Sequence, residues 1–197
     1  MNRLSTPTRR TLLLGGLALL AGCDHQPARA SFKGVDLTDA TYGRDFHLKD
    51  RDGRDRSLAD WRGKMVLLHF GFTQCPDACP TVLVRAAQIR AQLGKDADKL
   101  QVLFVTLDPE RDQPEVLSNY TKAFDPSFVA LWGDPQATKT VADDFKVFFK
   151  KVPTGSSYTL DHSLLSYGFD PQGKLRVALR HAQSAEECAH DLRQLLA

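Results

Sequence analysis

Continuous apolar runs and stretches with helical spacing alternate along most of this 197-residue chain. Residues 65–72 and 100–107 are nearly all apolar and are bounded by turn residues, a pattern typical of strands that are covered on both faces. Between them, residues 81–93 place apolar side chains at helical spacing, which predicts a helix. The pattern therefore predicts two buried strands joined by a helix.

Two further helices and a short strand are predicted after the second buried strand. Residues 114–124 and 135–148 have helical patterns, and each opens with a proline, which is favoured in the first turn of a helix. Residues 129–132 are predicted to form a short strand between these helices.

The last part of the chain has a different pattern. Residues 164–169 and 175–179 are predicted to form an antiparallel hairpin around a turn at residues 170–173. Ser184 then caps a final helix, with Glu187 as the second member of a capping box. A β-α-β-α-β order followed by β-β-α is typical of an α/β sandwich with a mixed central sheet.

An extra hairpin is predicted before the first buried strand. Residues 45–48 are followed by Asp52-Gly53, a dipeptide that is a strong local signal for a hairpin turn. Residues 57–61 then have the pattern of a short helical turn. The sandwich is thus expected to have an additional N-terminal hairpin.

The first 22 residues have the features of a lipoprotein signal peptide. Three arginines precede residues 12–20, an apolar run that is too short to span a membrane as a mature helix. The run leads into residues 20–23 (LAGC), which resemble a bacterial lipobox, although an ordinary cleaved signal is the alternative. We expect cleavage before Cys23 and lipidation of its sulfur. Residues 23–31 would then form the lipid anchor and tether, and residues 32–197 the folded domain.

The same segment predicts the cellular location of the protein. Residues 8–13 (TRRTLL) resemble a twin-arginine export motif, but paired arginines are also common in general secretion signals, so the export route stays open. Asp24, directly after the cysteine, resembles the inner-membrane retention signal of enterobacterial lipoproteins. We therefore expect a lipid-anchored protein on the periplasmic face of the bacterial inner membrane.

Composition and charge argue against nucleic acid as a partner. The chain has 26 Lys and Arg against 24 Asp and Glu, but the signal holds three arginines and no acid, which leaves 23 basic and 24 acidic residues. No basic patch or arm remains after cleavage. With 42% hydrophobic and 25% charged residues, the chain fits one globular domain.

Cys75 and Cys79 lie directly after the first predicted buried strand. Ligands bind at the carboxyl ends of strands in open α/β sheets, and a four-residue spacing on a helical turn places both sulfurs on one face. The amino end of a helix lowers the pKa of a thiol from about 8.5 toward neutrality, which favours the thiolate that metals and disulfide exchange both require. Redox exchange, metal binding and a structural disulfide all stay open at this point. Cys188, by contrast, lies on the apolar stripe of the last predicted helix and is expected to be a core residue.

A histidine could complete a metal site. His47 and His69 lie in the first hairpin and in a buried strand, and we interpret both as structural groups. His162 lies just before the predicted strand at residues 164–169, and in thioredoxin-like domains the segment just before that strand faces the cysteine loop. Two thiolates and an imidazole suit Cu(I) or Cu(II), while zinc accepts the same ligands. The remaining histidines lie in the tether, at the end of the last hairpin and on the final helix: His25, His181 and His190.

Three motifs, in this order, resemble the Sco/SenC family. They are residues 71–81 (GFTQCPDACPT), residues 107–112 (LDPERD) and residues 161–163 (DHS). The likeness extends from about residue 32 to the end of the chain. It implies a thioredoxin-like, copper-binding domain in a membrane-tethered chaperone. Such a chaperone would help to assemble the dinuclear copper A centre of cytochrome c oxidase subunit II, and other copper-handling proteins are further expected partners.

The resemblance carries the family's copper ligands over to Cys75, Cys79 and His162. It also leaves a second function open, because some family members resemble thiol–disulfide reductases that act on the cysteines of that copper site. Such a reductase would need Cys75 and Cys79 as a redox pair but not His162. A peroxidase-like thiol enzyme is a third hypothesis, although no arginine is paired locally with either cysteine. His69 and His181 are not part of the family pattern, and a secondary metal site there stays open.

Overall fold

The structure is a computed structural model that describes residues 31–196. The predicted signal peptide, Cys23 and the tether up to residue 30 lie outside the described residues, so their assignments stay predictions.

The predicted elements occur in the predicted order, together with strands that the sequence analysis did not predict. The strands are β1 (Val35–Asp36), β2 (Leu48–Lys49), β3 (Asp55–Arg56), β4 (Met65–Gly71), β5 (Leu100–Thr106), β6 (Val129–Leu131), β7 (Phe149–Thr154), β8 (Ser157–His162), β9 (Ser166–Phe169) and β10 (Leu175–Leu179). The α-helices are α1 (Ala78–Leu93), α2 (Pro114–Lys122), α3 (Pro135–Asp144) and α4 (Ala185–Gln194), and short 3-10 helices cover Leu58–Trp61 and Gly94–Lys99.

A mixed central sheet forms the middle of the fold, with strand order β1-β10-β9-β4-β5-β6. Strands β4, β5 and β6 are parallel, whereas β9 is antiparallel to β4 and β10 is antiparallel to β9. Every residue of β4 and β5 is buried, as their continuous apolar sequences predict. The predicted α/β sandwich with a mixed sheet is confirmed.

The N-terminal hairpin is also confirmed, in a shorter form than the sequence predicts. Strand β2 pairs with β3 around the predicted Asp-Gly turn, in which Gly53 has a φ of +77°. The Asp50 side chain accepts hydrogen bonds from the backbone amides of Asp52 and Arg54, which stabilises this turn. Backbone hydrogen bonds between Lys49 and Trp132 attach the hairpin to the end of β6.

Three helix boundaries differ from the predicted ones, and the smallest difference is that α2 ends at Lys122 rather than at residue 124. Helix α1 begins at Ala78 rather than at residue 81, because Pro80 is tolerated in a first helical turn, so the turn includes Cys79. Helix α3 ends at Asp144 rather than at residue 148, because Lys146 adopts a φ of +58°, the left-handed conformation that ends helices.

The sequence interpretation missed a hairpin, and this changes the setting of His162. Strands β7 and β8 form a separate two-stranded sheet joined by a two-residue turn, in which Gly155 has a φ of +62°. His162 is therefore the last residue of strand β8. A Gly-Ser dipeptide between two short runs is a hairpin signal that could have revealed this element.

The last helix forms where the sequence predicts it. Ser184 and Glu187 form the expected capping box, and α4 packs against α1. Cys188 is fully buried in the hydrophobic core, which confirms the structural role predicted for it. Among residues 31–196, no helix combines the length and the apolar character needed to cross a membrane.

Candidate metal centre

Strand β4 delivers the two cysteines to one end of the sheet. The chain leaves the strand after Gly71 and makes a turn in which the Cys75 amide donates a hydrogen bond to the carbonyl of Phe72 at 3.3 Å. Cys79 lies in the first turn of α1, and its amide points at Cys75 Sγ, 3.4 Å away. Cys75 is half-buried, whereas Cys79 is fully buried. Both sulfurs thus lie at the carboxyl end of a central strand, as predicted.

A close approach between α1 and β4 fixes the position of the Cys79 sulfur. A Cβ atom added at Gly71 would lie 2.6 Å from Cys79 Sγ and 2.8 Å from the Phe104 ring. Both distances are shorter than van der Waals contact, so only glycine at this position lets the sulfur pack directly on the strand.

We expect Gly71→Ala to displace the Cys79 sulfur and weaken metal binding. Overpacking of this kind costs about 1–3 kcal/mol of stability, and the affinity of the dithiol for Cu(I) should fall with it. The matched control is Gly133→Ala, where the added Cβ would lie 3.0 Å from Ala137 and Leu48, next to the N-terminal hairpin and α3. Both substitutions should lower the temperature of thermal unfolding. In a chelator competition, only Gly71→Ala should lower the affinity for Cu(I). An unchanged Cu(I) affinity in folded Gly71→Ala protein would contradict the role of Gly71 in positioning the Cys79 sulfur.

His162 reaches the cysteines from the β7–β8 hairpin. Its Nε2 atom lies 3.7 Å from Cys79 Sγ, across 83 residues of sequence. Its Nδ1 atom lies 2.8 Å from the carbonyl oxygen of Ser163. Because a carbonyl only accepts hydrogen bonds, Nδ1 carries the proton and Nε2 keeps a free lone pair. The Phe72 ring packs edge-on against the imidazole, with centroids 5.8 Å apart, and restricts its orientation.

The three side chains meet the geometric requirement for one metal ion. Their ligand atoms all lie within 4.8 Å of one another. Ligand bonds of about 2.0–2.3 Å place the donors around an ion roughly 3.5–4.5 Å apart, so small movements would complete the site. The hydrogen bond from Nδ1 to a carbonyl is the outer contact that typically orients a metal-binding histidine. Within residues 31–196, these are the three metal-ligating side chains that the fold brings together.

The pKa values of the two thiols are shifted in opposite directions. The pKa of Cys75 is lowered to about 4, chiefly because the Cys79 thiol donates a hydrogen bond to its sulfur. Backbone amides of Cys79 and Asp77 lower it further, against the effect of partial burial. Cys75 is therefore a thiolate at neutral pH, as predicted, although the main cause is the hydrogen bond from Cys79.

Cys79 departs from the prediction that the helix end lowers both pKa values. Its pKa is raised, first because its proton is held by the Cys75 sulfur and second because it is buried. The apo pair thus shares one proton between two sulfurs. A metal ion that binds both sulfurs must displace that proton, so we expect metal uptake to release a proton.

The other described histidines are not members of this group. His69 is buried, its Nδ1 lies 3.2 Å from the Ser166 hydroxyl, and burial lowers its pKa to about 3. It is structural as predicted, although its Nε2 has no hydrogen-bond partner in the described part of the chain. His47 is exposed and has no such structural burial. His190 lies beside Asp191, 3.1 Å from a carboxylate oxygen.

Asp112 is a site residue that the sequence interpretation did not single out. Its buried carboxylate accepts hydrogen bonds from the Thr73 amide at 3.0 Å, the Thr73 hydroxyl at 2.5 Å and the Thr106 hydroxyl at 2.6 Å. It thereby fixes the start of the cysteine turn to the end of β5. The signal was present in the motif at residues 107–112, but only the fold shows what the aspartate holds.

Fold and site together define a thioredoxin-like domain with a cysteine–cysteine–histidine metal-binding group. The chain belongs to the SCO1/SenC family, whose sequence pattern matches residues 35–197. It is 42% identical over 135 residues to an SCO2-like protein of Rickettsia felis, an alignment that covers 67% of this chain and 66% of that protein.

Two solved structures extend the likeness to three dimensions. Copper-bound ScoI of Bradyrhizobium japonicum is 36% identical, with a TM-score of 0.70 over 84% of this chain and 100% of that one. Apo Sco1 of Thermus thermophilus is also 36% identical, with a TM-score of 0.76 over 86% of this chain and 99% of that one.

Proposed function

We propose that this protein binds copper through Cys75, Cys79 and His162. The observation that carries the proposal is the convergence of two sulfurs and a free imidazole nitrogen within 4.8 Å. Soft thiolates suit Cu(I), and the added imidazole accommodates Cu(II). Some catalytic zinc sites also use two cysteines and one histidine, so the preference for copper over zinc is tested directly below. The copper held by the Bradyrhizobium relative supports the same choice.

An anaerobic competition titration with a chromophoric Cu(I) chelator tests the binding proposal. The reduced protein should take up one Cu(I) per chain, and Cys75→Ser or Cys79→Ser should abolish this uptake. Parallel titrations with Zn²⁺ determine whether the site prefers copper. A reduced protein that binds Zn²⁺ but leaves Cu(I) with the chelator would contradict the proposal.

Copper is best understood here as cargo that the protein passes on. Cys75 and His162 are half-buried and only Cys79 is fully buried, so an ion between them stays reachable from one side by the ligands of a partner. The Sco family is described as a family of cytochrome c oxidase assembly proteins. We infer that the partner is the dinuclear copper A site of oxidase subunit II, and that other copper-handling proteins supply the ion.

The alternative function is reduction of the two cysteines of that same oxidase site. A low-pKa, half-buried Cys75 beside a protonated Cys79 is also the arrangement that thiol–disulfide exchange uses. The two functions separate when the soluble domain of subunit II is supplied in two forms. Delivery predicts that copper-loaded protein builds the copper A absorption band on the reduced domain. Reduction predicts that copper-free protein cleaves the disulfide of the oxidised domain.

We further propose that the protein is a lipoprotein on the periplasmic face of the inner membrane. The proposal rests on residues 20–23 and on the acidic residue that follows them. Mass spectrometry of the membrane-extracted protein should find a chain that begins at Cys23 with a diacylglyceryl group on its sulfur. An unmodified Cys23 in that sample contradicts the anchor.

A further inference from the structure

One short segment links the two parts of the chain that supply the metal-binding side chains. This segment, residues 108–112, follows β5 and is called the bracket below. Asp112, at its end, holds Thr73 at the start of the cysteine turn. Arg111, its neighbour, donates a hydrogen bond to the Gln74 side chain at 3.1 Å. One side of the bracket is therefore fixed to the cysteine turn.

The other side of the bracket holds the β7–β8 hairpin through Tyr158. Arg111 Nη1 donates a hydrogen bond to the Tyr158 carbonyl at 2.7 Å, and the guanidinium lies 3.7 Å above the centre of the Tyr158 ring. The Tyr158 hydroxyl donates a hydrogen bond to Asp108 Oδ1 at 2.8 Å, while Arg111 Nε lies 2.5 Å from the other oxygen of that carboxylate. Tyrosine, arginine and aspartate thus form a closed set of contacts.

Burial makes these contacts stronger than ordinary surface pairs. The Asp108 side chain is 1% exposed and the Arg111 side chain 17% exposed. The nearby pair of Lys151 and Glu110 is about half exposed, and pairs of that kind contribute little to stability. Among the polar contacts of the hairpin, those of Arg111, Asp108 and Tyr158 are therefore the buried ones.

Tyr158 and His162 belong to the same strand, β8, so contacts that fix Tyr158 also restrict the position of His162. Side chains two and four residues apart lie on the same face of a strand. In β8 that face contains Tyr158, buried Leu160 and His162, whereas the intervening Asp161 is exposed. Because β7 and β8 are not paired with the central sheet, side-chain contacts on this face determine how the hairpin lies against the domain.

We propose that Arg111, with Asp108 and Tyr158, is a positioning residue that holds the imidazole of His162 beside the cysteine pair. The proposal rests on the copper site proposed above. Without the Arg111 contacts, the hairpin would still form through its own ladder but would move against the domain. The imidazole would then spend less time within reach of Cys79, while the two cysteines would stay in place through Asp112 and Gly71.

The test compares Arg111→Gln and Tyr158→Phe with Arg56→Gln. The first substitution removes the charge and most of the hydrogen bonds, and the second removes only the bond to Asp108. The control removes an arginine that pairs with Asp50 at 2.8 Å in the N-terminal hairpin. Two readouts are taken on each folded protein: hydrogen exchange of the β8 amides without metal, and the affinities for Cu(II) and Cu(I).

We expect faster exchange in β8 and a loss of Cu(II) affinity of about 10–100-fold in Arg111→Gln, the range typical of changes in the groups that orient a ligand. Tyr158→Phe should show a smaller change in the same direction. Cu(I) affinity should change far less, because the dithiol is untouched, and Arg56→Gln should match the wild type throughout. A general loss of structure would instead lower the affinities for Cu(II) and Cu(I) together.

Unchanged β8 exchange and unchanged Cu(II) affinity in Arg111→Gln would overturn the positioning role. If that variant does not fold, the same two readouts on Tyr158→Phe decide the question. Wild type and His162→Ala are measured alongside. If these two bind Cu(II) equally, the proposed copper site itself fails. If they differ and the bracket variants match the wild type, only the positioning role fails.

Discussion

Oxidation of Cys75 and Cys79 to a disulfide is expected to abolish copper binding, and reduction is expected to restore it. Metals bind the thiolate, and a disulfide has no thiolate to offer. The reduced apo protein is ready for either reaction, because Cys75 is already ionised and the Cys79 proton is directed at it. Copper uptake by anaerobic titration should fall from one ion per chain to none after oxidation, and return to one after treatment with a phosphine reductant.

Cys188 provides the control for this experiment. It is fully buried, and burial raises its pKa to about 11, so it should neither react nor bind copper in the folded protein. Cys188→Ala should therefore lose and regain copper binding as the wild type does. Equal copper uptake by the oxidised and the reduced protein would show that the two cysteines are not the ligands, and copper delivery would need another site.

The elements with a strong apolar period were predictable from sequence. Strands β4 and β5 are buried throughout, and their sequences are continuous apolar runs. Helix α1 buries one face, and its apolar residues recur at helical spacing. The capping box of α4 was equally readable, because its two residues interact locally. These features depend on neighbours in the sequence, which is why pattern alone identifies them.

The β7–β8 hairpin escaped prediction because little of it is buried. Five of the six residues of β7 are exposed, so no alternation of apolar and polar positions marks the strand. Pro153 further weakens the strand signal, since proline cannot donate to a sheet ladder and is found at sheet edges. The turn at Gly155 was the remaining signal.

The members of the site were predictable, but the protonation of the two cysteines and the contacts that position the site were not. The spacing of Cys75 and Cys79, together with the family resemblance, identified the three side chains that the fold brings together. Their opposite pKa values depend on the deeper burial of Cys79 and on a hydrogen bond between the sulfurs. Likewise, the links from Arg111 to Tyr158 and from Asp112 to Thr73 join residues about 40 to 50 positions apart, which no local pattern encodes.

His162→Ala is expected to remove stable Cu(II) binding while leaving Cu(I) bound at reduced affinity. Cu(I) is soft and is satisfied by two thiolates, whereas Cu(II) prefers a set that includes nitrogen. The imidazole supplies that nitrogen from Nε2, which faces Cys79 at 3.7 Å. The loss of Cu(II) affinity should exceed the roughly 10–100-fold that is typical when only an outer contact of a ligand is removed.

The fate of the cysteine pair makes this prediction sharper than a change in affinity. Without the imidazole, two Cu(II) ions can each take one electron from the dithiolate, which leaves two Cu(I) ions and the disulfide between Cys75 and Cys79. His162→Ala loaded anaerobically with Cu(II) should therefore show a decaying sulfur-to-copper charge-transfer band and a decaying electron paramagnetic resonance signal, while free thiols disappear. Exposed His47 provides the matched histidine, and His47→Ala should keep the wild-type spectrum. A persistent, wild-type Cu(II) signal in His162→Ala would remove His162 from the site, and the function that needs only the two cysteines, disulfide reduction, would then be favoured.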